Sequence, residues 1–147
     1  MSADIVEALG VMMGPRHALP LVDRLVRHDA LIPKRVPAIE KALEYVPEGR
    51  FAGRGLIAIQ HMFPTFIALL EAFERRGMNA RDVHVLGTKY ASNPLVATYG
   101  RLKGYHLERS RDDAGSTRSF EAMRMHEVLA FLGSVSVLGR KPKEGWI

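Results

Sequence analysis

The chain has no cysteine among its 147 residues. This absence excludes disulfide bonds, a thiolate nucleophile and a zinc site built on cysteine. Histidines are present, but His126-Glu127 lacks the second histidine of a zinc-binding helix, and the other histidines show no ligand spacing. We therefore expect no bound metal ion.

Long apolar runs and concentrated charge are also missing. No run approaches the roughly 20 residues that cross a membrane, and the acidic start of the chain is unlike a signal peptide. The net charge of +5 is spread along the chain, without the interleaved basic and aromatic residues of a single-strand binding groove. We expect a cytoplasmic protein with no membrane partner, and a nucleic-acid partner is not indicated.

The middle of the chain has the pattern of a strand, a helix and a second strand. Leu56 to Ile59 and Val83 to Leu86 are short apolar runs that predict two strands. Between them, Pro64 suits a first helical turn, and Gly77 suits the position after the last turn. This pattern predicts a βαβ unit whose parallel strands end at the same edge of one sheet.

Three helices are predicted before this unit. They are expected over 2–14, from Pro20 to His28, and from Pro33 or Pro37 through Val46. After the unit we predict a helix from Asn93-Pro94 to Lys103, and a third strand from Tyr105 to Glu108.

The C-terminal part is predicted to begin with a charged loop from Arg109 to Gly115. A helix then starts at Ser116 or Thr117, stops at Gly133, and carries an apolar stripe that consists of Ala122, Met125, Leu129 and Leu132. Ser134 to Leu138 either alternates as a fourth strand or continues this helix.

Together these elements predict an α/β fold, with a short parallel sheet of three or four strands and helices on both faces. It corresponds to half of a Rossmann or flavodoxin-like fold behind a helical N-terminal segment. We expect a single domain over 1–147, with the helical segment at 1–50, a βαβαβα core at 51–139 and a tail at 140–147.

Polar residues follow the first two predicted strands, at the edge where ligands bind in open α/β sheets. An imidazole group can exchange a proton near neutral pH, so His61 could bind a ligand hydroxyl or act as a general base. The loop from Thr88 to Asn93 adds the hydroxyls of Thr88 and Ser92, the amine of Lys89, and an Asn93 amide that also suits a helix cap. His84 and His106 are expected at alternating surface positions of strands.

The residues around this edge resemble the substrate-binding domain of the S-adenosylhomocysteine hydrolase (adenosylhomocysteinase) family. In that family a His-Met pair follows the first strand, a Glu stands ten residues after the His, and a Gly follows six residues later. His61-Met62, Glu71 and Gly77 match this spacing. The polar loop after the second strand and Gly104-Tyr105 before the third extend the resemblance over roughly residues 33–132.

The sequence also departs from that family. Phe63 and Thr65 replace the Thr and Glu with which the family holds adenosine. Gly49, Gly53 and Gly55 precede a strand, unlike a dinucleotide fingerprint, and the family's NAD domain and later catalytic residues have no counterpart here. The resemblance therefore implies substrate binding with no cofactor in this chain, and without NAD-dependent hydrolysis by this chain alone.

Three functions remain open. The first is a domain that binds a nucleoside, a thioether or another small polar metabolite through His61, Thr65, Thr88, Ser92 and Asn93. The second is an interaction or regulatory protein, because a half-sheet leaves edges and apolar faces to be covered. The third is a small oligomeric enzyme with His61 as its catalytic base. In each case we expect a homo-oligomer or a larger protein partner.

Overall fold

The computed structural model describes residues 2–29, 32–109, 120–137, 142–143 and 145–147. These residues form an α/β fold with a three-stranded parallel sheet, as the sequence predicted. The elements are, in chain order, α1 (Ala3–Met13), α2 (Pro15–Asp29), α3 (Pro37–Leu43), β1 (Leu56–Met62), α4 (Pro64–Arg75), a 3₁₀ turn (Ala80–Asp82), β2 (Val83–Ser92), α5 (Pro94–Lys103), β3 (His106–Arg109) and α6 (Phe120–Val137). No helix within these ranges is long and apolar enough to cross a membrane.

The sheet has the order β1-β2-β3, and both neighbouring pairs are parallel. The predicted βαβ unit is confirmed, and a second one shares β2 with it. Both connecting helices begin with a proline in the first turn. They are followed by Gly77 and Gly104, whose φ of +100° is a left-handed conformation that favours glycine.

The main core lies between one face of the sheet and helices α1, α2, α4 and α5. Val83 and Val85 of β2 are fully buried there, together with Ile67 of α4 and Tyr99 of α5. The other face is covered by α6, where Phe131 packs against Leu86 of β2 in a smaller apolar cluster. Helices therefore flank both faces of the sheet.

The C-terminal residues return to the free edge of β1. Trp146 forms a parallel bridge with Gly55. Gly55 N donates to Gly145 O at 3.0 Å, and Ile147 N donates to Gly55 O at 2.8 Å. The indole of Trp146 joins the Leu86 cluster, so this aromatic residue packs against the sheet.

The N-terminal helix boundaries differ from the predicted ones. α2 begins at Pro15 and carries Pro20 inside it, because Gly14 at φ +75° ends α1 and a proline fits the first turn that follows. α3 ends at Leu43, and Val46 lies in a tight turn after it, where Val46 N donates to Leu43 O at 3.1 Å.

The C-terminal helix also differs from its prediction. Ser134 to Val137 continue α6, so the fourth strand is wrong, and Leu138 lies outside the described residues. Gly133 does not stop this helix, because it does not adopt the left-handed φ that Gly104 adopts after α5. Ser134 Oγ donates to Phe131 O at 2.8 Å within the continuing turn. The predicted cap at Ser116 or Thr117 and loop residues 110–115 also lie outside the described residues, while Arg109 ends β3.

The stripe that α6 turns toward the sheet is not the predicted one. Met125, Leu129 and Leu132 are 61%, 61% and 41% exposed, whereas Phe131 and Val135 are buried. Both stripes are apolar and both have helical spacing. Periodicity alone therefore could not identify the face that meets the sheet.

Candidate functional site

The carboxyl end of β2 is bulged where it passes β1. Gln60 pairs with Gly87 and Met62 pairs with Ser92, so His61 alone stands opposite the four residues 88–91. The predicted loop from Thr88 is therefore wrong as a backbone assignment, since β2 extends to Ser92. The surplus residues arch out of the ladder, and the bond from Asn93 N to Met62 O at 3.3 Å closes the arch.

A hydrogen bond between His61 Nδ1 and Thr88 Oγ1 joins β1 to this arch. Thr88 is 6% exposed, whereas the His61 side chain is exposed to solvent. The main-chain N of His61 also donates to Gln60 Oε1 at 2.8 Å. A buried hydroxyl thus fixes the orientation of an imidazole at the carboxyl edge of the sheet.

The hydrogen bond to Thr88 makes the two nitrogens of His61 chemically distinct. If the hydroxyl donates to Nδ1, then Nε2 carries the proton and can donate to a ligand. If protonated Nδ1 donates to the hydroxyl instead, Nε2 has a free lone pair and can accept a proton. Nε2 is thus a hydrogen-bond donor in one tautomer and a proton acceptor in the other.

Several side chains at this edge are exposed. The Phe63 ring is 49% exposed, and its centroid lies 5.4 Å from that of His61. Gln60 and Thr65 are also exposed, on the end of β1 and the first turn of α4. This edge thus combines an aromatic surface with hydrogen-bonding groups.

Among the other predicted site residues, one has a structural role and two have side chains that the structure does not describe. Asn93 caps α5, because its Oδ1 accepts from Leu95 N at 3.0 Å and from Val96 N at 3.4 Å. The side chains of Lys89 and Ser92 lie outside the described residues, although the backbone of Ser92 pairs with Met62. In the part of the chain that is described, no three His, Asp or Glu side chains are grouped to hold a metal.

Glu71, which the family resemblance singled out, forms an ion cluster in the interior. Its Oε1 accepts from Arg27 Nη2 at 2.5 Å and from Lys103 Nζ at 2.7 Å. Burial alone would lower the pKa of the Arg27 guanidinium, but the hydrogen bond and charge of Glu71 outweigh burial and raise it. Glu71 therefore links α2, α4 and α5.

His84 is buried, so its predicted surface position is wrong. It is 3% exposed, and its ring stacks on that of exposed His106 with centroids 4.5 Å apart. The ring of Trp146 meets His84 edge-on at 5.4 Å. The sequence could not show this burial, because Trp146, which packs against His84, is distant in sequence.

Comparison with known proteins finds distant relatives. Two proteins named as uncharacterized, from two strains of Mycobacterium tuberculosis, are each 32% identical to this chain over 76 residues. The match covers 52% of this chain and 15% of each relative, so the chain corresponds to a small part of their length. No family model matches the chain. No solved structure matches it either.

Proposed function

We propose that this chain is a metabolite-binding domain whose site is the carboxyl edge of its sheet, around His61 and Thr88. The observation that carries the proposal is the hydrogen bond between the buried Thr88 hydroxyl and the exposed imidazole of His61. A side chain that is held in one orientation loses less conformational entropy when it binds a ligand. The edge is also where open α/β sheets bind ligands.

The neighbouring side chains favour a planar, polar ligand. The exposed Phe63 ring offers a flat apolar surface, while His61 and Gln60 offer hydrogen bonds. A nucleoside or a nucleoside thioether has this combination, and the resemblance to the adenosylhomocysteinase substrate-binding domain supports the same class. Thr65 and Ser92 are proposed as further contacts, and no redox cofactor is part of the proposal.

A thermal-shift screen of the intact chain tests this site. The probes are adenosine, S-adenosylhomocysteine, S-adenosylmethionine, homocysteine and NAD, each measured with wild type, His61→Ala and Thr88→Val. A ligand at about 100 times its Kd stabilises by about 2.7 kcal/mol, which is roughly 5–10 °C in Tm for a domain of this size. We expect a nucleoside to produce this shift, His61→Ala to abolish it, and Thr88→Val to reduce it.

The matched control is His126→Ala, which removes an exposed imidazole from α6. It should leave the ligand-induced shift unchanged. A shift that survives in His61→Ala would place binding elsewhere, and no shift with any probe would overturn the assignment to nucleosides and thioethers. Turnover of a bound nucleoside without added NAD, lost in His61→Ala, would extend the proposal to an enzyme with His61 as base.

A second candidate function is association through α6. Its exposed residues Met125, Leu129 and Leu132 follow a spacing of four and three residues, as in the contact stripe of paired helices. A neighbouring stripe of α6, which includes Phe131 and Val135, packs against the sheet. We propose that a second copy of this chain covers the exposed stripe, and that the protein is a homo-oligomer.

The oligomeric state tests this candidate directly. Sedimentation of the wild type over a range of concentrations should show a dimer or a higher oligomer, and Leu129→Glu should shift it toward monomer. Tyr45→Glu places the same charge on a 78% exposed aromatic position outside α6 and serves as the control. A wild type that is monomeric at every concentration would reject self-association.

A further inference from the structure

A groove of about 690 Å³ runs along β3, the edge strand farthest from β1. Its volume lies within the range of about 300–1,000 Å³ that is common for small-molecule sites. The groove is separate from the edge around His61, because its lining comes from the 3₁₀ turn before β2, His84 near the start of β2, the end of α5, and β3.

The groove carries unbalanced positive charge. Arg81 and Arg101 line it, both are exposed, and neither forms an ion pair with any residue that the structure describes. The acidic side chain in the described lining, Glu108, already accepts a hydrogen bond from Ser134 Oγ at 3.1 Å. Guanidinium groups are suited to bind the oxygens of an anion, and this groove is lined by two of them.

The position of Arg101 favours a small anion over an added peptide strand. Its Nε donates to Leu107 O at 3.2 Å, so the guanidinium is held against the backbone of β3. A peptide that paired with this edge would have to displace that bond. The Nη atoms of Arg101 remain as donors to the oxygen atoms of a phosphate or carboxylate.

A flat surface lies beside these two arginines. His84 and His106 both line the groove, and their rings are stacked with an interplanar angle of 12°. His84 is buried, whereas His106 is exposed, so the outer face of His106 is open to a planar group. We propose that the groove binds a small organic phosphate with a planar ring, with the phosphate on Arg81 and Arg101 and the ring on His106.

The test measures binding of inorganic phosphate, AMP and citrate by calorimetry. It uses the intact chain carrying His61→Ala, so that the carboxyl edge of the sheet does not contribute. Arg81→Gln and Arg101→Gln should each weaken AMP binding roughly tenfold or more. Arg81→Gln is decisive if Arg101→Gln disturbs folding, because the Arg81 side chain makes no hydrogen bond in the described structure.

The controls separate this site from general attraction to a basic protein. Arg24→Gln removes the same charge from an exposed position on α2 outside the groove, and it should leave AMP affinity unchanged. AMP should bind more tightly than inorganic phosphate, and His106→Ala should abolish that difference. Equal loss in Arg24→Gln, equal affinity for citrate and AMP, or no AMP binding would each overturn the proposal.

Discussion

Arg27 Nη2 lies 2.5 Å from Glu71 Oε1, and this contact joins α2 to α4 through two largely buried side chains. Lys103 of α5 approaches the same oxygen at 2.7 Å. Asp23, one helical turn before Arg27, accepts from Arg27 Nε at 3.1 Å and from the Tyr99 hydroxyl. Helix α2 is thus tied to the βαβ units by charge as well as by apolar contact.

The first prediction is that Glu71→Ala strongly destabilises the fold. The substitution leaves two cations in the interior without their shared carboxylate, and removing one member of a buried ion pair costs about 3–5 kcal/mol. Glu44→Ala should cost less than about 1 kcal/mol, because the Lys41–Glu44 pair is 67% and 59% exposed. Urea unfolding measures both changes, and equal effects would mean that the Glu71 cluster contributes no more than a surface pair.

The sequence predicted those parts of the fold that depend on local signals. Pro64 and Pro94 in first turns, and Gly77 and Gly104 after last turns, located α4 and α5 because each signal acts within a few residues. Short apolar runs located β1 and β2, and the parallel pairing of these strands brings their carboxyl ends together.

What the sequence could not show depends on contacts between distant residues. From the sequence alone, Glu71 could be a surface residue or a site residue. Its buried ion pair involves Arg27 of α2, which is 44 positions away in the sequence. The burial of His84 likewise requires Trp146. The bulge opposite His61 depends on the pairing of Met62 with Ser92, which leaves one residue of β1 opposite four residues of β2.

The second prediction concerns the close approach of Gly55 and Trp146. A Cβ on Gly55 would lie 2.3 Å from Cζ3 of the indole, so Gly55→Ala should expel this ring from the sheet. Because the chain has a single tryptophan, its fluorescence reports the change directly, and we expect red-shifted emission and stronger quenching by iodide.

The control for this experiment is Gly133→Ala, where an added Cβ meets nothing within 4 Å. That change should leave the emission unchanged and stabilise the protein by up to about 1 kcal/mol, because alanine favours a helix over glycine. Unchanged emission in Gly55→Ala would show that the tail does not hold Trp146 at this position in solution.

The third prediction separates the structural role of Asn93 from a ligand-binding role. Asn93→Ala removes the cap of α5 and should cost about 1 kcal/mol of unfolding free energy, or roughly 2–4 °C in Tm. Asn93→Asp keeps an acceptor that also suits the helix N-terminus, and it should restore stability. If Asn93→Asp folds normally but loses a nucleoside-induced shift, the amide contacts the ligand as well.

The last prediction is a loss of stability at alkaline pH that depends on Tyr99. Burial, followed by the hydrogen bond to Asp23, raises the pKa of Tyr99 above its usual value of about 10. Below about pH 10 the folded and unfolded states both keep the phenolic proton, so stability does not depend on it. Above about pH 10 the unfolded chain releases the proton while the folded protein retains it, and the free energy of unfolding falls.

This fall should reach up to about 1.4 kcal/mol per pH unit for each such tyrosine, until the pH passes the folded pKa. Burial and the charge of Glu74 also raise the pKa of Tyr105, so it should add to the effect. Urea unfolding at about pH 9 and about pH 11 should show a smaller loss for Tyr99→Phe than for wild type. Tyr45→Phe, at an exposed position, is the control. An identical loss in Tyr99→Phe and wild type would show that other groups cause the alkaline transition.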